Sequence, residues 1–120
     1  MATVEITKDN LNQIADENDI VFLDFWAEWC PPCRAFGPVF ERVSEKYPDA
    51  VFGKINTEEQ RELAAGFEIS SIPTLMALRE GVIVFAQPGA LREKDFVQVV
   101  DGVLAIDMAE VRAAIAAQSS

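Results

Sequence analysis

The two cysteines of the chain, Cys30 and Cys33, are the residues whose types and spacing indicate chemistry most directly. Thiols at positions i and i+3 share one face of a helix, and a small adjustment at the helix terminus lets them form a disulfide. A structural bridge across so short a loop would stabilise the fold by only about 2 kcal/mol. A C-x-x-C pair that follows an apolar strand and opens a helix therefore favours reversible dithiol–disulfide exchange over a structural bridge.

The positions of the two thiols predict different roles. Cys30 falls where the unpaired N–H groups and the positive dipole end of a helix stabilise a thiolate, so it is expected to attack a substrate disulfide. Cys33 lies one turn further into the helix and is expected to be more buried and less ionised. Cys33 would then resolve the mixed disulfide that Cys30 forms.

Asp24 is the one acid inside the apolar run of residues 20–27. Its apolar flanks predict burial, and burial raises the pKa of a carboxyl group. A carboxylate tuned in this way can accept the proton of Cys33. Lys54, in the next predicted strand, would moderate the cost of the buried charge. The alternatives are a solvated carboxylate at a strand edge and a lysine that extends its ammonium group into water.

Length and composition exclude several classes of function. The 120 residues suit one domain, and 10 basic against 20 acidic residues give a net charge of −10, which disfavours binding to nucleic acid or to anionic membranes. The chain has no histidine, the commonest general base and metal ligand, and two cysteines cannot form a four-thiolate zinc site. We therefore expect no metal site, and redox, carboxylate or binding chemistry remains.

The hydrophobic pattern predicts an α/β fold. The run at 20–27 does not alternate, so it is typical of a central strand covered on both faces. Strand–helix–strand units imply parallel pairing, and a hairpin near the C-terminus adds an antiparallel edge, which gives a mixed five-stranded sheet with helices on both faces. The predicted strands lie at 4–6, 20–27, 51–55, 74–78 and 82–86. The first predicted helix has Thr7 as its N-cap and Asp9 in its first turn. The other predicted helices run from Pro31 through Lys46, at 58–65 with Gly66 as C-cap, and at 93–104.

The last residues predict an extra helix. Asp107 is a suitable N-cap, Glu110 occupies the third helical position, and Met108, Val111 and Ile115 form a thin apolar stripe. We expect residues 1–106 to form the domain and residues 107–120 to be a helical extension of it. The extension is expected to pack on the domain or fray in solvent, and the alternative is a docking helix for a partner.

The segment at 24–33, Asp-Phe-Trp-Ala-Glu-Trp-Cys-Pro-Pro-Cys, closely resembles the active-site signature of the thioredoxin family. The resemblance covers about residues 3 to 105. Further matches are the family's proline loop at Ile72-Pro73-Thr74, its glycine loop at Gly89-Ala90-Leu91, the strand with its buried lysine at Lys54-Ile55-Asn56, and its helix proline at Pro38.

This resemblance implies the thioredoxin fold and the reduction of protein disulfides. Cys30 would be the nucleophile, Cys33 the resolving thiol and Asp24 the buried proton acceptor, with Lys54 beside it. Pro73 would follow a cis peptide bond and leave a backbone edge free for an extended substrate. The substrate groove around Cys30 would be formed by Trp29, Pro31, Pro32, Ile72, Pro73, Gly89 and Ala90.

The resemblance also implies partners. No cofactor would be bound, because NADPH would supply electrons through a partner thioredoxin reductase to disulfide-containing clients. The N-terminal residues show no secretory signal and no apolar run is long enough to span a bilayer, which favours a soluble, cytoplasmic protein, expected to be a monomer.

Pro31 departs from the family pattern, in which glycine is commonest, and affects the expected redox potential and the fit to a reductase. The dipeptide between the cysteines lacks the histidine of oxidising relatives, which favours a reductant. The alternatives are a dedicated reductant for a single client and a scaffold or chaperone subunit with this fold.

Overall fold

The computed structural model describes residues 2–119. The strands are β1 (Thr3–Glu5), β2 (Ile20–Trp26), β3 (Val51–Asn56), β4 (Thr74–Arg79) and β5 (Val82–Pro88). The helices are α1 (Leu11–Glu17), α2 (Pro31–Ser44), α3 (Arg61–Gly66), α4 (Glu93–Leu104) and α5 (Met108–Ser119).

The five strands form one mixed sheet in the order β1-β3-β2-β4-β5. β3 pairs in parallel with β1 and β2, whereas β4 pairs antiparallel with β2 and β5. Glu80 and Gly81 turn the β4–β5 hairpin with φ angles of 52° and 78°, which suits a tight two-residue connection. The predicted sheet and the central place of β2 are confirmed.

Helices cover both faces of the sheet and enclose two apolar cores. The core beneath α2 and α4, the α2–α4 core, consists of Phe22, Phe36, Phe40, Val43, Phe52, Leu75, Ala77, Phe96, Val100 and Val103. The core beneath α1 and α3, the α1–α3 core, consists of Ile6, Leu11, Val21, Leu23, Phe25, Ile55, Met76 and Leu78. Because both faces of β2 are covered, its sequence is apolar at nearly every position.

The alternation of side chains along the strands decides which face the polar residues occupy. Phe22 belongs to the α2–α4 core and Leu23 to the α1–α3 core. Asp24 follows Phe22 by two positions and therefore projects toward α2. On β3, Lys54 follows Phe52 by two positions and projects from the same face. The sheet thus directs Asp24 and Lys54 toward the helix that carries the cysteines.

The prediction that Thr7 caps the first helix is wrong, because α1 begins at Leu11. The side-chain oxygen of Asn10 accepts the N–H of Thr7 at 2.8 Å, and the Thr7 hydroxyl accepts the N–H of Asp9 at 3.2 Å. These local bonds hold a turn before the helix, and Asp9 consequently lies outside the first helical turn.

Two more helices are shorter than predicted. α3 begins at Arg61, because the side chain of Asn56 accepts the N–H of Glu58 at 2.9 Å and holds a turn there. Gly66 is the last residue of α3 and not its C-cap. α2 ends at Ser44, two residues before the predicted end.

α4 has the predicted bounds, and Arg79 holds its C-terminal end against the sheet. The Arg79 guanidinium donates hydrogen bonds to the carbonyls of Val103 at 2.8 Å and Ile106 at 3.2 Å, and it forms an ion pair with Asp19 at 3.1 Å. Basic side chains near a helix C-terminus can donate hydrogen bonds to its last carbonyls. This buried arginine therefore positions the segment that leads into α5.

α5 starts as the sequence predicts and contacts the domain through residues of its first two turns. The Asp107 carboxylate accepts the N–H of Ala109 at 2.9 Å, Met108 is buried, and Arg112 forms an ion pair with Glu80 of the hairpin. Most later residues of the helix are exposed, and Ile115 is 43% exposed. Among residues 2–119, no helix combines the length and the apolar character needed to cross a membrane.

Candidate active site

Cys30 and Cys33 form a disulfide at the N-terminus of α2, with their Cα atoms 5.2 Å apart. Cys30 is the N-cap residue, and its sulfur accepts the N–H of Cys33 at 3.3 Å. Pro31 and Pro32 occupy the first two helical positions, where a backbone N–H has no intrahelical acceptor, so these prolines cost the helix no hydrogen bond. The positive end of the helix dipole and a backbone N–H therefore point at the Cys30 sulfur, as the sequence predicts.

The prediction that Cys33 is more buried than Cys30 is wrong, because each cysteine is 3% exposed. The loop before β4 covers Cys30 from one side, and the carbonyl oxygen of Ile72 lies 3.7 Å from the Cys30 sulfur. A loop distant in sequence thus removes the difference in exposure that helix position alone suggests. Any asymmetry between the two sulfurs must come from the helix terminus and the groups around them.

The proline loop and the glycine loop meet beside the disulfide. The Ile72–Pro73 peptide bond is cis, as the resemblance implies. The Pro73 carbonyl accepts the N–H of Gly89 at 2.7 Å, and Gly89 has a φ of +104°, a conformation that side chains rarely tolerate. Pro73 is buried, Ile72 is half-buried, and Gly89 and Ala90 are exposed.

A groove of about 390 Å³ runs beside Cys30 between α2 and the proline loop. Trp29, which is 64% exposed, forms one wall together with Pro31 and Pro32. Pro73, Gly89 and Ala90, which the resemblance places in the groove, do not line it, and Gly89 instead donates its N–H to the Pro73 carbonyl. The groove is lined by Trp29, Cys30, Pro31, Pro32, Thr57, Ala64, Ile69, Ser70, Ser71 and Ile72.

Sequence reasoning missed several of these lining residues. Thr57 directly follows β3, and its hydroxyl donates to the Trp26 carbonyl at 3.1 Å. The carboxyl ends of the neighbouring parallel strands β2 and β3 meet at one sheet edge, so the strand order could have placed Thr57 near Cys30. Ser70 and Ser71 precede the cis proline, and no local pattern distinguishes them from an ordinary polar loop.

Asp24 is 1% exposed, and neither of its carboxylate oxygens has a hydrogen-bond partner. Burial raises the pKa of Asp24 from 3.8 to about 7, and the positive charge of Lys54 opposes part of this rise. Asp24 and Lys54 face each other in the register of β2 and β3. The predicted burial of this acid is confirmed, so its carboxyl group titrates near neutral pH.

Lys54 is half-buried and stays close to the protein surface beneath α2. Its ammonium nitrogen lies 4.9 Å from the centre of the Trp26 indole, within the range of a cation–π contact. Lys54 also lines a cavity of about 420 Å³ together with Cys33, Arg34 and Glu41. Cys33 and Lys54, the lysine that lowers the pKa of Asp24, therefore line the same cavity.

Comparison with known proteins identifies the family. The sequence profile described as Thioredoxin matches residues 2–102. The chain belongs to the thioredoxin family. The "Putative thioredoxin 2" of Streptomyces coelicolor is 56% identical over 119 residues, covering 99% of this chain and 89% of the relative. "Thioredoxin C-3" of Corynebacterium nephridii is 37% identical over 99 residues, covering 82% of this chain and 68% of the relative.

Solved structures of thioredoxins have the same fold. A mutant thioredoxin from Halobacterium salinarum superposes with a TM-score of 0.80 at 28% identity, covering 88% of this chain and 92% of that one. The Plasmodium falciparum thioredoxin gives a TM-score of 0.77 at 29% identity, covering 83% and 97% of the two chains. The predicted thioredoxin fold is confirmed.

A thioredoxin-family chain with a cysteine pair at disulfide distance is a protein-disulfide oxidoreductase. The comparisons do not favour a single-client reductant or a scaffold subunit. Within residues 2–119, no group of three or more histidine, cysteine, aspartate or glutamate side chains could hold a metal ion.

Proposed function

We propose that this protein is a monomeric, cytoplasmic reductant that carries electrons from NADPH, through thioredoxin reductase, to the disulfides of client proteins. The observation that carries this proposal is the disulfide at the N-terminus of α2, beside the loop of the cis proline. The dipeptide between the cysteines has no histidine, which supports the reducing direction. Both cysteines of the chain belong to the exchange pair, so none remains for a structural disulfide, as is usual for proteins of a reducing compartment.

The proposed reaction starts from the reduced protein. The Cys30 thiolate attacks one sulfur of a client disulfide, and the other client sulfur leaves as a thiolate and is protonated. Cys33 then loses its proton and attacks the Cys30 sulfur of the mixed disulfide. The first client sulfur leaves and is protonated in turn. The client has gained two electrons and two protons, and this chain has become the Cys30–Cys33 disulfide.

Asp24 is the proposed acceptor of the Cys33 proton. A carboxyl group whose pKa is about 7 is a matched base near neutral pH. The strand alternation directs Asp24 toward α2, and Lys54 shares a cavity with Cys33. Lys54 would stabilise the ionised form of Asp24 before it accepts the proton.

The client segment is proposed to lie extended across Trp29, the prolines of α2 and Ile72. Pro73 has no N–H, and a peptide that runs beside its loop can pair with the neighbouring backbone. Gly89 and Ala90 would contact the client beyond Pro73. The exposed Trp29 and half-buried Ile72 supply apolar surface on either side of Cys30.

Insulin reduction coupled to NADPH and thioredoxin reductase tests this function. We expect NADPH consumption that depends on this protein, none with Cys30→Ser, and a trapped mixed disulfide with Cys33→Ser. Absence of turnover, in the presence of a thioredoxin that is active with the same reductase, would contradict the reductase-linked role.

A further inference from the structure

Arg34 spans the loop that carries the disulfide, and none of the roles described above uses it. Its guanidinium donates a hydrogen bond to the carbonyl of Glu28 at 2.8 Å. The bond connects the first turn of α2 with the turn before it, across both cysteines. That turn is otherwise closed by the Cys30 N–H, which donates to the Ala27 carbonyl at 3.3 Å.

The two prolines explain why the Glu28 carbonyl has a side-chain donor. A carbonyl at a strand-to-helix turn ordinarily accepts an N–H three or four residues later. Those positions are Pro31 and Pro32, which have no N–H. The next two N–H groups are occupied, because that of Cys33 donates to the Cys30 sulfur and that of Arg34 donates to the Cys30 carbonyl.

We propose that Arg34 is a positioning residue for disulfide exchange, and that its guanidinium replaces the backbone donor that Pro31 lacks. By holding the Glu28 carbonyl it fixes the turn that orients Trp29 and Cys30. Trp29 is 64% exposed, so its place at the wall of the groove depends mainly on the backbone that carries it. This inference rests on the proposed role of Cys30 as the attacking thiol.

The proposal predicts that Arg34 and Pro31 are energetically coupled. Pro31→Gly supplies an N–H three residues after Glu28, and this N–H can take over the carbonyl. Arg34 should therefore matter when residue 31 is proline and lose most of its effect when residue 31 is glycine. A purely electrostatic effect of Arg34 on the Cys30 thiolate would be the same in both backgrounds.

A double-mutant cycle of Arg34→Met and Pro31→Gly tests this coupling. The first readout is amide hydrogen exchange at Trp29 and Cys30 in the oxidised protein, which requires no turnover and stays informative if the proposed function fails. The second is the rate constant for reduction of a disulfide peptide by the reduced protein. Arg42→Met is the matched control, because Arg42 lies in the same helix and pairs with Glu93.

With Pro31 present, we expect Arg34→Met to accelerate exchange and slow peptide reduction by about fivefold, the size of one net hydrogen bond. In the Pro31→Gly background we expect Arg34→Met to change either readout by less than about twofold. The control should leave both readouts unchanged. The proposal would be overturned if Arg34→Met changed the two readouts by the same factor in both backgrounds, or if it changed neither readout in either background.

Discussion

The carboxyl group of Asp24 is held in the α2–α4 face of the sheet without a hydrogen bond to either oxygen. Between pH 3.8 and about 7, the folded protein therefore binds a proton that the unfolded chain has released. The free energy of unfolding should fall as the pH rises through this window, by up to about 4 kcal/mol in total. The site retains a destabilising group, which is consistent with a role in proton transfer.

Asp24→Asn should leave the stability of the oxidised protein nearly unchanged at pH 4 and stabilise it by up to about 4 kcal/mol at pH 8, because the amide resembles the protonated carboxyl group and cannot ionise. Denaturant unfolding at both pH values measures the difference. The same variant should slow disulfide exchange by about tenfold or more at neutral pH.

The matched control is Asp16→Asn, which removes an exposed acid from α1. The difference in free energy of unfolding between this variant and the parent should be the same at pH 4 and pH 8. Its rate of disulfide exchange should equal that of the parent protein. If Asp24→Asn follows the same pH dependence as the control and reacts at the parent rate, Asp24 has no part in the proton transfer.

At the scale of the elements, the close approach of β1, β2 and β3 depends on Gly53. This residue pairs with Val4 on one side and Leu23 on the other. A Cβ atom at position 53 would overlap the side chain of Ile6 and lie 3.3 Å from a methyl group of Leu23. The glycine is needed here because an apolar side chain fills the space above its Cα atom.

Gly53→Ala should lower the free energy of unfolding by about 1–3 kcal/mol, because Ile6 must shift within a filled core. Gly102→Ala is the matched comparison, since a Cβ at this exposed helical position meets nothing within 4 Å. That variant should raise stability by about 0.5–1 kcal/mol. Thermal or denaturant unfolding of both variants checks the contrast, and equal effects would contradict it.

At the scale of the molecule, the redox site and α5 lie at opposite ends of β4. Thr74 adjoins the cis proline, whereas Arg79 and the following Glu80 contact the segment that includes α5. The strand is 6 residues long, which separates its two ends by roughly 17 Å. The alignment with the Streptomyces coelicolor relative covers 99% of the chain and so includes α5.

Deletion of residues 107–120 should lower the free energy of unfolding by about 2 kcal/mol, because it exposes the surface beneath Met108 and removes the ion pair of Arg112. Reductase-coupled insulin reduction should remain at the parent rate. A large loss of turnover in a truncated protein that is still folded would contradict the division into domain and extension.

Local sequence patterns are sufficient to predict much of the fold and of the redox site. The apolar run of β2 predicted a central strand, and the i, i+3 cysteines beside the prolines predicted a disulfide at a helix terminus, because both signals act between near neighbours. The same patterns place the starts of α1 and α3 too early, since side-chain bonds to Asn10 and Asn56 hold turns that compete with helix.

The redox pair, the buried acid and the family of the chain can all be predicted from the sequence alone. Three features emerge from the folded structure: Cys30 is as buried as Cys33, Thr57 and the two serines before Ile72 line the groove, and Arg34 holds the Glu28 carbonyl. Those features depend on how loops distant in sequence meet at one sheet edge. Spacing along a helix or strand constrains near neighbours, and packing between elements determines the rest.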